Sequence, residues 1–230
     1  MKLFNMNNWS LNVKLLLPVI VLMIALIIFS ILALRNLDTM EKKIVSSLYD
    51  NSYQANSLML NADRDFYQAM VAQMKLLNTQ DTQEIQAQTE DYNENSKQVY
   101  DRVQAARAIM EKNRDLFATY TDKESGKTAF ELFDAFNENY NAWKQDFNVD
   151  TRTLTNAANA SEQFSAARGN LDKVVDIIEQ YSTDSINNNA ALKKHMYLLT
   201  YIQLATAAIL SGIIIFFLLR NVKRRTQDAL

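Results

Sequence analysis

The chain has 230 residues, a formal net charge of −2 and no cysteine. The absence of cysteine excludes disulfides, metal–thiolate sites and thiol nucleophiles, and the single histidine excludes a multi-histidine metal site. With only three glycines, the chain also lacks a glycine-rich phosphate-binding loop. We therefore expect a protein that is not an enzyme and that binds no cofactor.

The N-terminal region predicts a membrane helix. Residues 1–14 carry two charged side chains, Lys2 and Lys14, and residues 15–34 form a charge-free apolar run. About 20 apolar residues suffice for a helix to cross the hydrocarbon core of a bilayer. A secretory signal peptide has a shorter apolar core and a small-residue cleavage site, and this run has neither. We expect residues 1–14 to be cytoplasmic and residues 15–34 to be an uncleaved transmembrane helix.

Residues 35–195 are predicted to form a helical domain outside the cytoplasm. Between Asn36 and His195 there is no proline and there are only two glycines, so little interrupts a helix. The same stretch has 25 acidic and 17 basic side chains, a formal charge of −8. A nucleic-acid-binding surface would be strongly basic. The composition therefore argues against a nucleic-acid partner.

Apolar side chains recur at helical spacing in four parts of this domain. The first stripe predicts one helix from about Lys14 to Leu77, and residues 78–82 form a turn with Asp81 or Thr82 as the next N-cap. The second helix carries apolar residues up to Phe117, and residues 121–126 form the next turn. The third helix has an aromatic stripe. The four stripes comprise the following residues: Leu37, Ile44, Leu48, Ala55, Leu58, Ala62, Phe66, Ala69 and Leu76; Ile85, Tyr92, Val99, Val103, Ala106, Met110 and Phe117; Phe130, Phe133, Phe136, Tyr140, Trp143 and Phe147; Phe164, Ala167, Leu171, Val174 and Ile178.

The fourth helix is expected to begin at Ser161 or Glu162 and to continue into a second charge-free apolar run, residues 196–219. The tail, residues 220–230, is basic, and positive charge beside a membrane span favours the cytoplasmic side. We therefore predict two spans in a bacterial inner membrane, both termini in the cytoplasm and a periplasmic domain. The predicted fold class is all-α: a membrane-anchored antiparallel up-down-up-down four-helix bundle whose first and last helices are continuous with the spans.

Arg64 is the first candidate for a ligand contact. It lies between Asp63 and Asp65, with Tyr67 on nearly the same face of the helix. Counting 1.5 Å per residue from the ends of the spans places Arg168 at a similar height. An arginine binds a carboxylate through two parallel hydrogen bonds. A second interpretation stays open, in which Arg64 pairs with Asp63, Asp65 or an acid on a neighbouring helix.

Three features of the chain resemble one receptor family. Residues 9–16 (WSLNVKLL) resemble the lead-in before the family's first span, and residues 61–69 (NADRDFYQA) are similar to a stretch of its first sensor helix. Trp143, Phe164 and the pair Leu171–Asp172 follow the order of its last two sensor helices. Over essentially all 230 residues, the chain resembles the N-terminal half of a bacterial methyl-accepting chemotaxis receptor with a four-helix-bundle sensor.

The resemblance implies a homodimer in which arginines of the first sensor helix bind ligand across the dimer interface. From this resemblance we expect Arg64 to play that part, with Asp63, Tyr67, Arg168 and Trp143 as further ligand-binding candidates. Trp143 is also a member of the aromatic stripe, so core packing is its second interpretation. In the family a linker of the HAMP type follows the second span, usually after a proline, and residues 220–225 contain none. A fragment of a longer receptor and a truncated sensor that uses another chain for output both stay open.

The expected function is a transmembrane sensor that detects an extracytoplasmic ligand and transmits a helix displacement to a cytoplasmic signalling region. The expected partners are the inner membrane and either a small ligand, such as an amino acid or organic acid, or a periplasmic binding protein. Two alternatives remain: the sensor half of a histidine kinase or diguanylate cyclase, and a membrane-anchored helical module that docks a protein. A transporter is disfavoured because neither apolar run contains an ionisable residue for a substrate path.

Overall fold

The computed structural model describes residues 10–227, without the side chains of residues 11, 12, 14, 15, 18, 218 and 221–227. Residues 1–9 and 228–230, which belong to the predicted cytoplasmic segments, lie outside the described residues. The described part of the chain is all-α apart from one short hairpin, so the predicted fold class is confirmed at that level. The elements are α1 (Leu11–Ile44), a π-helical segment (Val45–Tyr53), α2 (Gln54–Asn78), α3 (Thr82–Glu111), α4 (Arg114–Phe117), α5 (Ala129–Gln145), β1 (Phe147–Asn148), β2 (Thr153–Leu154) and α6 (Ala157–Gln227).

Contacts divide the chain into two units, one of which contains α1 up to Lys43 and the part of α6 from Asn188 onward. Both α1 and α6 contain a stretch that is long and apolar enough to cross a membrane, and no residue in the most apolar part of either is buried. Side chains such as Ile24, Ile27 and Phe216 are more than half exposed. A helix with an apolar surface of this extent is suited to a lipid environment rather than to water.

The second unit, Ile44–Asn187, begins with the π-helical segment. Its buried Asn51 donates a hydrogen bond from Nδ2 to the Tyr181 hydroxyl of α6 (3.3 Å) and accepts one from Asn113 Nδ2 (3.0 Å). The Ser52 hydroxyl donates to the carbonyl of Ser47 five residues earlier, at 3.3 Å. These contacts support the wider i→i+5 turn. The chain is helical without a break from Leu11 to Asn78, as predicted for about Lys14 to Leu77, but Val45–Tyr53 is π-helical rather than α-helical.

Local capping signals define the ends of the next helices. The Asp81 carboxylate accepts hydrogen bonds from the backbone N–H groups of Gln83 (2.8 Å) and Glu84 (3.4 Å), which confirms Asp81 as the N-cap of α3. The second predicted helix ends at Glu111 rather than at Phe117, because the backbone leaves the helical region at Asn113 before the short α4.

The predicted turn at residues 121–126 is confirmed, and Gly126 occupies it with a φ of +69°, which favours glycine. A capping box then starts α5: the Thr128 hydroxyl accepts from the Glu131 N–H, and the Glu131 carboxylate accepts from the Thr128 N–H.

A short hairpin that the sequence analysis did not predict separates α5 from α6. Phe147 of β1 pairs with Leu154 of β2, so Phe147 is outside the third helix that was expected to include it. Arg152 in the turn donates a hydrogen bond to the carbonyl of Thr79 at 2.8 Å, which holds the hairpin against the α2–α3 connection. The last helix, α6, begins at Ala157, four residues before the predicted start at Ser161.

Aromatic rings fill the centre of this unit. Phe66 of α2 lies 4.9 Å from Trp143 of α5 and 4.5 Å from Phe164 of α6, measured between ring centroids. Burial of each such side chain contributes about 1.5–3 kcal/mol to the free energy of folding. The face of α6 predicted to be buried is confirmed, since all its members are less than 7% exposed: Phe164, Ala167, Leu171, Val174 and Ile178.

Polar side chains add specific contacts between the helices around this core. Arg107 of α3 binds Asp134 of α5 at 2.6 Å. Asn139 of α5 donates to Gln163 of α6 (2.8 Å) and accepts from Asn170 of α6 (3.0 Å). Helix α2 contributes carboxylates that bind arginines of both α3 and α6, and these two ion pairs are the candidate site.

Candidate functional site

Asp63 and Arg168 join α2 to α6 at the surface of the Ile44–Asn187 unit. Arg168 donates from Nε to Asp63 Oδ1 (2.6 Å) and from Nη2 to Asp63 Oδ2 (2.9 Å), the paired geometry that a guanidinium forms with a carboxylate. The guanidinium carbon lies 5.9 Å from the ring centre of Tyr67 and 5.8 Å from that of Phe164. The structure thus brings together three of the five predicted site residues: Asp63, Tyr67 and Arg168.

A second carboxylate, that of Asp172 on α6, interacts electrostatically with this pair. Partial burial, followed by repulsion from Asp63, raises the pKa of Asp172 above its ordinary value, although Arg168 acts in the opposite direction. The hydrogen bond from Arg168 to Asp63 raises the pKa of the Arg168 guanidinium. A ligand carboxylate at this position must therefore compete with Asp63 for Arg168 and approach Asp172.

Arg64 points to a different neighbour. Its Nε and Nη2 donate to Oδ1 of Asp65 at 3.0 and 2.7 Å, while Arg102 of α3 donates from Nε to Oδ2 of the same carboxylate at 2.6 Å. The Asp65 side chain is 1% exposed and that of Arg64 is 55% exposed. The observed contact of Arg64 is the ion pair of the second interpretation. Among the described contacts none joins Arg64 to Arg168, Tyr67 or Trp143.

Arg102 completes this cluster and was missed in the sequence. It lies next to Val103, within the buried stripe of α3, where a charged side chain requires a partner on the facing helix. The position of an arginine within this apolar stripe was the sequence signal that could have identified Arg102. The partner could not be identified without knowing which face of α2 opposes α3.

Trp143 belongs to the core. It is 1% exposed and its ring lies among those of Phe66, Tyr92, Tyr140 and Phe164. Its ring centroid lies 6.2 Å from that of Phe164, which in turn lies 5.8 Å from the guanidinium carbon of Arg168. Trp143 is therefore a core residue that is separated from the Arg168 guanidinium by the ring of Phe164.

The described residues also line several surface clefts, two of which are the following. One, of about 610 Å³, is lined mainly by acids of the α4–α5 connection and α6. Lys173 lies nearby, with its ammonium 3.8 Å from Asp122 and 3.6 Å from Glu124. The other cleft, of about 330 Å³, lies between α2 and α3. Among the described residues, no group of three or more histidine, aspartate or glutamate side chains is arranged to hold a metal ion.

Comparison of the chain with models of protein families, with curated proteins and with solved structures found no match. The functional interpretation therefore depends on the residues and contacts described above.

Proposed function

We propose that this chain is the sensor module of a transmembrane chemoreceptor. The observation that carries the proposal is that a folded helical unit, Ile44–Asn187, lies in sequence between two helices long and apolar enough to cross a membrane. The resemblance of residues 9–16 and 61–69 to methyl-accepting chemotaxis receptors is a second line of support. The sensor module passes its signal to a cytoplasmic signalling region, which belongs either to a longer form of the receptor or to another chain.

In this proposal the membrane is the bacterial inner membrane, Ile44–Asn187 is periplasmic and both termini are cytoplasmic. The support is the basic cluster that follows the second apolar run: Arg220, Lys223, Arg224 and Arg225. The periplasmic unit is an antiparallel four-helix bundle made of α2, α3, α5 and the first part of α6. The contacts of α2 with α3 and α6, and of α5 with α3 and α6, support this arrangement.

Signalling proceeds by a shift of α6 against α2. Packed helices can slide past each other by about 1–2 Å, and the paired hydrogen bonds between Asp63 and Arg168 fix one relative position of these two helices. A ligand, or a periplasmic binding protein, needs only to favour a second position over this one. The displacement then passes to the cytoplasm through the spans.

The working state is a parallel homodimer formed by α2 and the end of the π-helical segment before it. Four large side chains, Tyr53, Leu60, Tyr67 and Met74, recur at seven-residue steps and each is more than half exposed. A seven-residue apolar repeat is the pattern by which helices pair lengthwise. A second copy anchored in the same membrane carries the same repeat in the same direction, so each residue of the repeat meets its own counterpart.

Two experiments test the proposal. The chain has no native cysteine, so Lys123→Cys and Arg224→Cys can each be labelled with a membrane-impermeant maleimide in spheroplasts. We expect Lys123→Cys to react in intact spheroplasts and Arg224→Cys only after lysis; the reverse pattern contradicts the topology.

The second experiment fuses the whole chain to the cytoplasmic signalling region of an established chemoreceptor. Amino acids and organic acids that raise the thermal stability of the chain in nanodiscs are then applied to the fusion. At 100 times its dissociation constant a ligand adds about 2.7 kcal/mol of stability. We expect such a ligand to change kinase output. A ligand that binds without changing output contradicts the signalling role, and a screen without any ligand contradicts the small-molecule sensor.

A further inference from the structure

A short basic and aromatic face, made of Lys193, Tyr197 and Tyr201, lies where α6 enters its apolar run. These residues are four positions apart, so they share one side of the helix. Tyr197 and Tyr201 are 55% and 67% exposed, and neither hydroxyl makes a hydrogen bond to a described residue. The Lys193 ammonium lies 5.7 Å from the centre of the Tyr197 ring, so the lysine and the first tyrosine form one contact unit.

The positive charge of this face is not neutralised by an acid of the protein. Lys193 and its neighbour Lys194 are both exposed, and neither forms an ion pair with a described residue. No acidic residue lies between Asp184 and Asp228 in the sequence. Positive charge beside a span normally marks its cytoplasmic end, yet in the proposed orientation these two lysines are periplasmic. Topology therefore does not account for them.

The position of Lys193 along α6 corresponds to the headgroup layer of a bilayer. Lys193 comes three residues before Met196, the first residue of the apolar run, which is about 4–5 Å along a helix. The headgroup region on each side of the hydrocarbon core is about 5–7 Å thick. Tyr197 and Tyr201 lie at the edge of the core, where tyrosine rings are enriched. A lipid beside this face therefore presents its phosphate to Lys193 and its acyl chains to the tyrosine rings.

We propose that this face binds an anionic phospholipid. Lys193 binds the phosphate, the Tyr197 hydroxyl donates to a phosphate or glycerol oxygen, and the Tyr201 ring packs along the upper part of an acyl chain. A zwitterionic headgroup also has a phosphate, but it carries an ammonium group that Lys193 and Lys194 repel. A lipid with a net negative charge has no such group and is preferred. The inference rests on the part of the proposed function that places residues 196–219 across a membrane, and it does not require sensing.

The test is native mass spectrometry of the full chain in detergent, titrated with phosphatidylglycerol or with phosphatidylethanolamine of identical acyl chains. We expect phosphatidylglycerol to bind more tightly. A lysine near an anionic lipid surface strengthens binding about fivefold, so Lys193→Gln should weaken phosphatidylglycerol binding by about that factor and change phosphatidylethanolamine binding much less. Tyr197→Phe keeps the ring and removes the hydroxyl. It should weaken both lipids to a similar extent, because both have a phosphate.

Lys194→Gln is the matched control, because Lys194 is equally charged and lies at nearly the same height but about 100° around the helix from Lys193. It should weaken phosphatidylglycerol binding much less than Lys193→Gln does. Lysine and glutamine have similar helix propensities, so both variants should keep the far-UV circular dichroism of the parent chain.

The proposal is overturned if the parent chain binds the two lipids equally or if Lys193→Gln leaves the preference unchanged. It is also overturned if Lys194→Gln reduces the preference as much as Lys193→Gln, since that result indicates diffuse attraction rather than a site. Retention of the chain in carbonate-washed membranes is measured separately. A chain that is washed off contradicts the proposed topology, whereas a retained chain without lipid preference contradicts the lipid site alone.

Discussion

Replacing Asp65 with asparagine tests whether a buried carboxylate holds α2 against α3. The Asp65 side chain is 1% exposed and receives hydrogen bonds from Arg64 and from Arg102. Asparagine keeps the shape of the side chain and removes its charge. Arg102, whose side chain is 30% exposed, then loses its counter-charge, whereas the more exposed Arg64 stays hydrated.

The contacts of Asp65 determine how much free energy of unfolding the Asp65→Asn variant should lose. Arg102 forms one short charge-assisted bond of 2.6 Å, and such bonds contribute about 1.5–3 kcal/mol. The two bonds from the half-exposed Arg64 are screened by water and together contribute about 0.2–1 kcal/mol, as an exposed pair does. Asp65→Asn should therefore lower the free energy of unfolding by about 2–4 kcal/mol. For a domain of this size that corresponds to a fall in melting temperature of roughly 5–12 °C.

Thermal unfolding of the full chain in detergent, followed by far-UV circular dichroism, measures this effect. Arg102→Gln and the double variant complete a cycle, and we expect a coupling energy of about 1–3 kcal/mol between the two residues. Asp101→Asn is the control, because Asp101 pairs with Lys97 on the exposed face of the same helix. A loss in Asp65→Asn no larger than in Asp101→Asn would refute the reasoning that burial strengthens this pair.

Three further predictions follow from the structure. Trp143→Ala should cost about 3–5 kcal/mol in unfolding free energy by denaturant titration, because the ring is fully buried; a loss below about 1 kcal/mol would place Trp143 at a surface site instead. Hydrogen bonds from Ser125 lower the pKa of Asp122 below 3.8, so they stabilise the fold above that pH and the effect is lost as pH falls. Ser125→Ala should thus lower the melting temperature at neutral pH, and its difference from the parent chain should shrink as pH falls through the lowered pKa of Asp122; a difference that does not change with pH would contradict this. Leu60→Cys should form an intermolecular disulfide in oxidised membranes, since facing residues of a parallel pair lie within about 6 Å, while Glu94→Cys on α3 should not; equal cross-linking of both would contradict pairing through α2.

The features that sequence reasoning predicted correctly depend on neighbours along the chain. Asp81 caps α3 because its carboxylate reaches N–H groups two and three residues ahead. Gly126 marks a turn because few other residues tolerate its φ of +69°. The buried stripe of α6 follows from helical spacing alone. Each of these signals is complete within one helix or one loop.

The features that sequence reasoning missed depend on contacts between segments that are distant in the chain. The π-helical segment is supported by Asn51, whose partners Asn113 and Tyr181 are 62 and 130 residues away. Asp63 and Asp65 flank Arg64 in sequence, yet residues two apart on a helix project about 200° apart. Asp63 therefore meets α6 and Asp65 meets α3. Without the neighbours of each face, the sequence could not assign either carboxylate to an arginine.

The two carboxylates of α2 that flank Arg64 are bound by arginines of other helices. Asp63 and Asp65 each bind an arginine of another helix, so a ligand carboxylate at Arg168 or Arg102 must displace a carboxylate already held at 2.6 Å. Asp63 holds α2 to α6, and Asp65 holds α2 to α3. In the proposed sensor, a ligand that competes for either arginine would therefore also loosen a contact between two helices.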